Sequence, residues 1–201
     1  MTLFIPRIAL FSPAAEQGRV AVGRVRTQTY AARRPADSFA AMPKPRVYVE
    51  TTIPNFYYDF RDSPGVVQRR EITRAWWADA TDRYELFTSS TVRDELAAGT
   101  SDRVPLRLAL LRGLPLLFPS PEIDDITAVY VVHRLMPSRP STADAIHLAL
   151  ASFHHCDFIV TWDSRHLANP NKAVHIRRIN MALNLHVPEL VTPQDLLARM
   201  P

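Results

Sequence analysis

Four carboxylates stand where one structural element of this chain hands over to the next: Glu50, Glu95, Asp144 and Asp163. Glu50 follows the run Arg46–Val49 and precedes two hydroxyls, Thr51 and Thr52. Glu95 falls on the second turn of a helix that Ser89-Ser90 can cap, Asp144 opens a later helix, and Asp163 lies just past the apolar run Phe158–Val160. In an α/β layering the helix descends and the next strand climbs back, so all four reach one rim of the sheet, the rim where open parallel sheets bind ligands. Four carboxylates converging in a partly buried pocket repel and raise one another's pKa values. A hard divalent cation removes that conflict. Mg²⁺ or Mn²⁺ takes oxygen ligands and needs only a few carboxylates from the protein. Held so, it can activate water and steady the charge building on a phosphodiester.

The elements that must position these acids follow from periodicity. RVYV (46–49) reads as a strand, and Ile53-Pro54-Asn55 as a turn into the aromatic patch Phe56, Tyr57 and Tyr58. Asp62-Ser63-Pro64-Gly65 is a turn by composition. From Val66 to Asp82 the spacing of Val67, Ile72, Ala75, Trp76 and Ala80 predicts a helix, with Trp76 in the core. ELFT (85–88) is a second strand and Ser89–Leu96 a helix stopped by Gly99. A short helix over 104–112, an apolar strand over 114–118 and a helix over 122–136 follow. Pro115 places the 114–118 strand at a sheet edge.

The most informative stretch is Ser141–Asn169. Ser141 can cap a helix whose apolar face is Ala143, Ile146, Ala149, Leu150 and Phe153. The run Phe158–Val160 then has the β-branched character of a strand buried on both faces. Residues 171–185 read as a helix with a basic face (Lys172, His175, Arg177, Arg178). Leu190-Val191 adds a last strand, and Thr192-Pro193 opens a terminal helix through Met200. Strands alternating with helices through short links predict a three-layer α/β/α domain with a mainly parallel sheet.

Composition narrows the function classes. With 201 residues and 47% apolar content, the chain can bury one sizeable core. Its net charge of +4 belongs to residues 1–42, which hold six arginines against Glu16 and Asp37; the rest balances. Residues 1–42 thus read as an N-terminal extension outside the fold, and 43–201 as the domain. Uniform basicity of the kind that binds nucleic acid everywhere is excluded, though local patches are not. The single cysteine, Cys156, rules out an internal disulfide and suits a reducing cytoplasm. No apolar run reaches the ~20 residues that cross a bilayer.

The blocks VYVETT, SSTVRDEL, TADAIHLALA and IVTWDSRHLAN, in that order, resemble the PIN-domain nucleases, including the toxins of bacterial toxin–antitoxin pairs. The resemblance spans roughly Arg46–Leu197. It implies a PIN-like fold in which Glu50, Glu95, Asp144 and Asp163 bind one or two Mg²⁺ or Mn²⁺ ions and carry catalysis. It also implies that Thr51, Thr52 and Thr161 steady a carboxylate or a water. The family usually has aspartate at the first position, where this chain has Glu50. The extra methylene moves that carboxylate by ~1.5 Å, to be absorbed through a water or felt as a weaker metal site.

The resemblance therefore implies an endoribonuclease with RNA as substrate and a small antitoxin protein as partner. The alternative is a catalytically inactive PIN-like module that works through a protein or RNA partner. Arg69, Arg70, Arg74, Arg165, Lys172, Arg177 and Arg178 are candidate phosphate contacts. The aromatic patch and Trp77 suggest a homodimer surface. The five glycines form no dinucleotide fingerprint or P-loop. His147 and His166 read as packing or supporting groups rather than zinc ligands, and Cys156 as structural.

Overall fold

The computed structural model describes residues 43–135, 142–163 and 170–199, and a compact unit begins at Lys44. In chain order the elements are β1 (Arg46–Val49), α1 (Thr52–Tyr57), α2 (Pro64–Arg83), β2 (Glu85–Ser89), α3 (Ser90–Ala97), α4 (Val104–Leu110), β3 (Leu116–Leu117), α5 (Pro121–Val132), α6 (Thr142–Phe153), β4 (Phe158–Val160), α7 (Pro170–Ala182), β5 (Glu189–Val191) and α8 (Pro193–Ala198). The five strands form one sheet in the order β3-β2-β1-β4-β5, and every pairing is parallel. The domain is a three-layer α/β/α sandwich, as the strand–helix alternation requires.

The first strand becomes the middle of the sheet. Tyr48 of β1 pairs with Phe87 on one side and Ile159 on the other. Val47, Tyr48, Val49, Ile159 and Val160 are fully buried, which explains why RVYV and FIV are apolar without alternation. Successive crossovers run outward from β1 to β2 and β3, then reverse to β4 and β5. The order of the sheet therefore reverses between β1 and β4, and their C-terminal ends are the switch point at which open parallel sheets bind ligands.

Several expectations need adjustment. Residues 53–55 are not a turn, since Thr52–Tyr57 form a short helix; a proline in the first helical turn lacks only an N–H that would be unpaired anyway. The third strand is confined to Leu116-Leu117. It does lie at the edge, and Pro115 contributes its carbonyl to the Thr88 amide at 3.1 Å. Helix α5 ends at Val132, α7 at Ala182 and α8 at Ala198, each short of the sequence estimate. The cap assigned to Ser141 lies outside the described residues. Ser89 caps α3 by accepting from the Val92 amide at 3.1 Å. Thr192 and Asp195 form a reciprocal capping box on α8. Trp76 is fully buried, and Trp77 packs edge-on against Tyr57 and Trp76.

One buried amide joins three helices. Asn180 of α7 accepts from the Tyr130 hydroxyl at 2.6 Å and donates to Ser152 Oγ at 2.9 Å and to the His186 carbonyl at 2.6 Å. Truncating it strands those partners away from water. Asn180→Ala should therefore cost about 3 kcal/mol in urea unfolding; a loss below about 0.5 kcal/mol would show that the network adds nothing. Cys156 sits at the α6–β4 link, fully buried, and burial pushes its thiol up to about 12. Native protein should resist iodoacetamide from pH 7 to 9, because no appreciable thiolate forms there, and react once urea unfolds it.

Candidate metal centre at the sheet's C-terminal edge

The site begins with a carboxylate taken almost out of water. Glu50 leaves the C-terminal end of β1, its amide bonded to the Val160 carbonyl of β4 at 3.3 Å, and it is 5% exposed. Its Oε2 accepts three hydrogen bonds: from the Thr52 amide at 2.9 Å, from Thr52 Oγ1 at 2.6 Å and from Thr161 Oγ1 at 2.8 Å. Both hydroxyls are themselves oriented. Thr52 Oγ1 accepts from the Trp162 amide at 2.8 Å, and Thr161 Oγ1 from the Asp163 amide at 2.9 Å. The loop after β4 is thus wrapped onto the acid that ends β1. Burial raises the Glu50 pKa, against the opposing pull of the His147 charge and the threonine hydrogen bonds.

Glu95 arrives from α3, which starts at the C-terminal end of β2, the neighbour of β1. Thr51 Oγ1 donates to its Oε2, and His147 Nε2 lies 3.3 Å from the same oxygen. Burial pushes Glu95 up, but the hydrogen bond and charge of His147, with Thr51, outweigh it and leave the carboxyl below its usual range. His147 is on α6, one turn after Asp144, and is buried. Its Nδ1 lies 2.7 Å from the Tyr48 hydroxyl, which in turn lies 2.7 Å from Ser89 Oγ. Burial lowers the His147 pKa, yet the Glu95 hydrogen bond and the charges of Glu50, Glu95 and Asp144 raise it overall.

Glu50, Glu95 and His147 each offer a ligand atom within 4.8 Å of the others. Among the described residues they form the tight group; Asp144 and Asp163 are not members of it. Those two aspartates stand beside it. Asp144 occupies the first turn of α6, Asp163 follows Thr161 and Trp162, and the charges of both act on Lys172 of α7. His147, read from the sequence as a packing or supporting group, is buried and stands in this group beside Glu95. The available signal was its position three residues after Asp144, on the same helix face.

The donor set fits a divalent ion. Two carboxylates supply the hard oxygens that Mg²⁺ and Mn²⁺ take, the imidazole adds a nitrogen ligand of the kind first-row transition ions favour, and three protein ligands leave room for water. Glu50 also meets the geometric demand. Its Oε2 is saturated by the threonines, while among the described residues no hydrogen bond reaches Oε1.

The basic residues proposed for phosphate contact separate into groups. Arg70 Nη1 donates to the Asp59 carbonyl at 2.8 Å and Arg74 Nε to the Tyr57 carbonyl at 3.1 Å, so both pin the end of α1 onto α2. Arg69 is exposed and lies over the rings of Phe56 and Trp162. Arg177 and Arg178 are exposed on α7, Lys172 is beside the two aspartates, and Arg165 and His166 lie outside the described residues.

An all-parallel α/β domain with acids at its switch point defines a class of ligand-binding α/β folds, and sequence comparison specifies which. The model of the PIN domain family matches residues 56–191, and the chain belongs to that family. The matched segment begins after β1 and Glu50, which join it through the sheet. No curated protein matches the chain. Among the described residues no helix is long and apolar enough to cross a membrane.

The Tyr48 hydroxyl is the buried link between His147 and the α3 cap. Tyr48→Phe should destabilise the domain by about 1–3 kcal/mol, because His147 Nδ1 loses its partner. Urea unfolding measures this; a wild-type midpoint and slope would remove the network from the account.

Proposed function

We propose that the protein is a Mg²⁺- or Mn²⁺-dependent endoribonuclease that hydrolyses RNA phosphodiester bonds, acting as the toxin of a toxin–antitoxin pair in the cytoplasm. The observation that carries this reading is the Glu50–Glu95–His147 group at the switch point of a PIN fold. Glu50, Glu95 and His147 would hold the ion, with Asp144 and Asp163 completing its surroundings as the family resemblance implies. When bound, such an ion makes water a better nucleophile at neutral pH and stabilises charge on the phosphoryl oxygens. Thr52 and Thr161 fix the Glu50 carboxylate, Thr51 and His147 fix that of Glu95, and the Trp162 amide orients the Thr52 hydroxyl. A small antitoxin protein and a second copy of the chain are the partners this reading supplies.

One observation favours a second reading, a catalytically inactive PIN-like module. Glu50 is buried and its pKa is raised, which also suits a neutral side chain retained for packing.

Metal titration separates the two. Saturating Mn²⁺ or Mg²⁺, at about 100 times its Kd, should stabilise the protein by about 2.7 kcal/mol, a rise in Tm of roughly 5 °C or more. Glu95→Gln and Asp144→Asn should each abolish most of that rise. Cleavage of total RNA should require the ion and disappear in EDTA. A Tm indifferent to both ions, with Asp144→Asn as stable as wild type, selects the inactive module.

A further inference from the structure

The arginines of α2 are not equivalent, and the difference points to a substrate track. Arg70 and Arg74 spend their guanidinium groups on main-chain carbonyls. Arg69 is exposed, and among the described residues its guanidinium makes no hydrogen bond or ion pair. It lies instead on aromatic rings, its Cζ 5.2 Å from the Phe56 centroid and 5.5 Å from that of Trp162. This shelf is rigid. Phe56 and Trp162 meet edge-to-face at 6.1 Å, and Trp162 Nε1 donates to Thr73 Oγ1 at 2.7 Å. It also abuts the metal group: the Trp162 amide bonds Thr52 Oγ1, which bonds Glu50.

A second cation–aromatic group lies around Phe60, on the segment between α1 and α2. Phe60 is 47% exposed, with three guanidinium groups (Arg70, Arg74 and Arg103) within 5.9 Å of its centroid. Arg103 reaches to 4.8 Å of its centroid and Arg74 to 5.5 Å. Arg74 is five residues beyond Arg69, ~7.5 Å along the α2 axis. Of the three rings only Phe60 is exposed; Trp162 is buried and Phe56 half-buried, so the shelf seats a cation while Phe60 offers a face to a base. Backbone charge met by cations and bases met by a ring are how proteins hold single-stranded nucleic acid.

We propose that Arg69, seated on the Phe56–Trp162 shelf, and the exposed Phe60 with Arg103 form a track for single-stranded RNA leading to the carboxylate group. This rests on the endoribonuclease reading for its substrate class. Arg69 meets a phosphate next to the metal group, Phe60 stacks on a base further along, and Arg70 and Arg74 only hold the track in shape. An acidic protein would meet the cations but would gain nothing specific from an exposed ring.

The test is fluorescence anisotropy of a labelled twelve-residue oligouridylate with the full chain in EDTA, so that neither metal nor cleavage intervenes. Arg69→Ala should bind at least fivefold more weakly, with the salt dependence reduced by about 0.7, one phosphate contact on a single strand. Phe60→Ala should weaken binding about fivefold or more with the salt dependence unchanged, because stacking releases no counterion. Arg69→Lys should restore the salt dependence but only part of the affinity. Arg83→Ala, the same charge change on α2 but ~21 Å away along the helix axis, should bind within twofold of wild type.

The track is overturned if wild type fails to bind the oligonucleotide, if Arg69→Ala binds like wild type, or if Arg83→Ala loses as much. It is overturned equally if a polyglutamate peptide competes as well as unlabelled RNA, which would mark a site for acidic protein. Mn²⁺ titration of the same samples keeps the two proposals apart. Binding that depends on Arg69 in a protein that takes no metal leaves the track standing and removes the nuclease.

Discussion

Placing a carboxylate at the end of the central strand of a parallel sheet costs several kcal/mol unless its charge is met by donors or a cation. Glu50 is such a group, and the arrangement around it follows from that cost. Thr52 folds back to give it an amide and a hydroxyl, and Thr161 gives a second hydroxyl from the neighbouring strand. Each hydroxyl can point its proton at the carboxylate because a main-chain amide of the loop after β4 occupies its lone pair. The loops at the switch point are therefore drawn together over one oxygen. Removing the acid would leave two threonine hydroxyls and the Thr52 amide to find other partners, so the site is also a structural clasp.

His147 plays the corresponding part for Glu95, with a reversible polarity. When Nε2 carries the proton it donates to Glu95, and Nδ1 accepts from the Tyr48 hydroxyl, which accepts from Ser89. When Nε2 turns its lone pair toward a cation, Nδ1–H donates to Tyr48 and Tyr48 donates to Ser89 Oγ. Ser89 Oγ already accepts the Val92 amide as the α3 cap and has a lone pair left for this. Both polarities keep the Tyr48 hydroxyl and His147 Nδ1 paired. Only the first also uses the Ser89 proton, so turning the chain round for a cation leaves that buried hydroxyl proton without an acceptor among the described residues.

The strands and their order in the chain were legible because a parallel sheet buried on both faces demands short apolar runs with a β-branched bias, as in Val47–Val49 and Phe158–Val160. The capped starts of α3 and α8 were legible for the local reason that Ser89, and Thr192 with Asp195, satisfy amides within three residues. Less legible was anything decided by distant partners. Strand β3 shrank to two residues because pairing ends where β2 ends. Helix α1 was hidden by Pro54, whose turn-like reading is correct in most contexts. For His147, the spacing from Asp144 along α6 marks the helix face it shares, but its contact with Tyr48, 99 residues earlier in the chain, is decided by packing alone. Arg69, Arg70 and Arg74 look alike as letters; only packing shows that two of them hold carbonyls.

The exchange of aspartate for glutamate at position 50 raised the question of where one additional methylene goes. In this structure the longer side chain curls back on its own chain, placing Oε2 2.9 Å from the amide two residues on. The curl spends the added length near β1 and is locked by Thr52 Oγ1, also at position i+2. Glu50 and the Thr52–Thr161 pair are thus one unit, in which the hydroxyls compensate the length of the acid they hold.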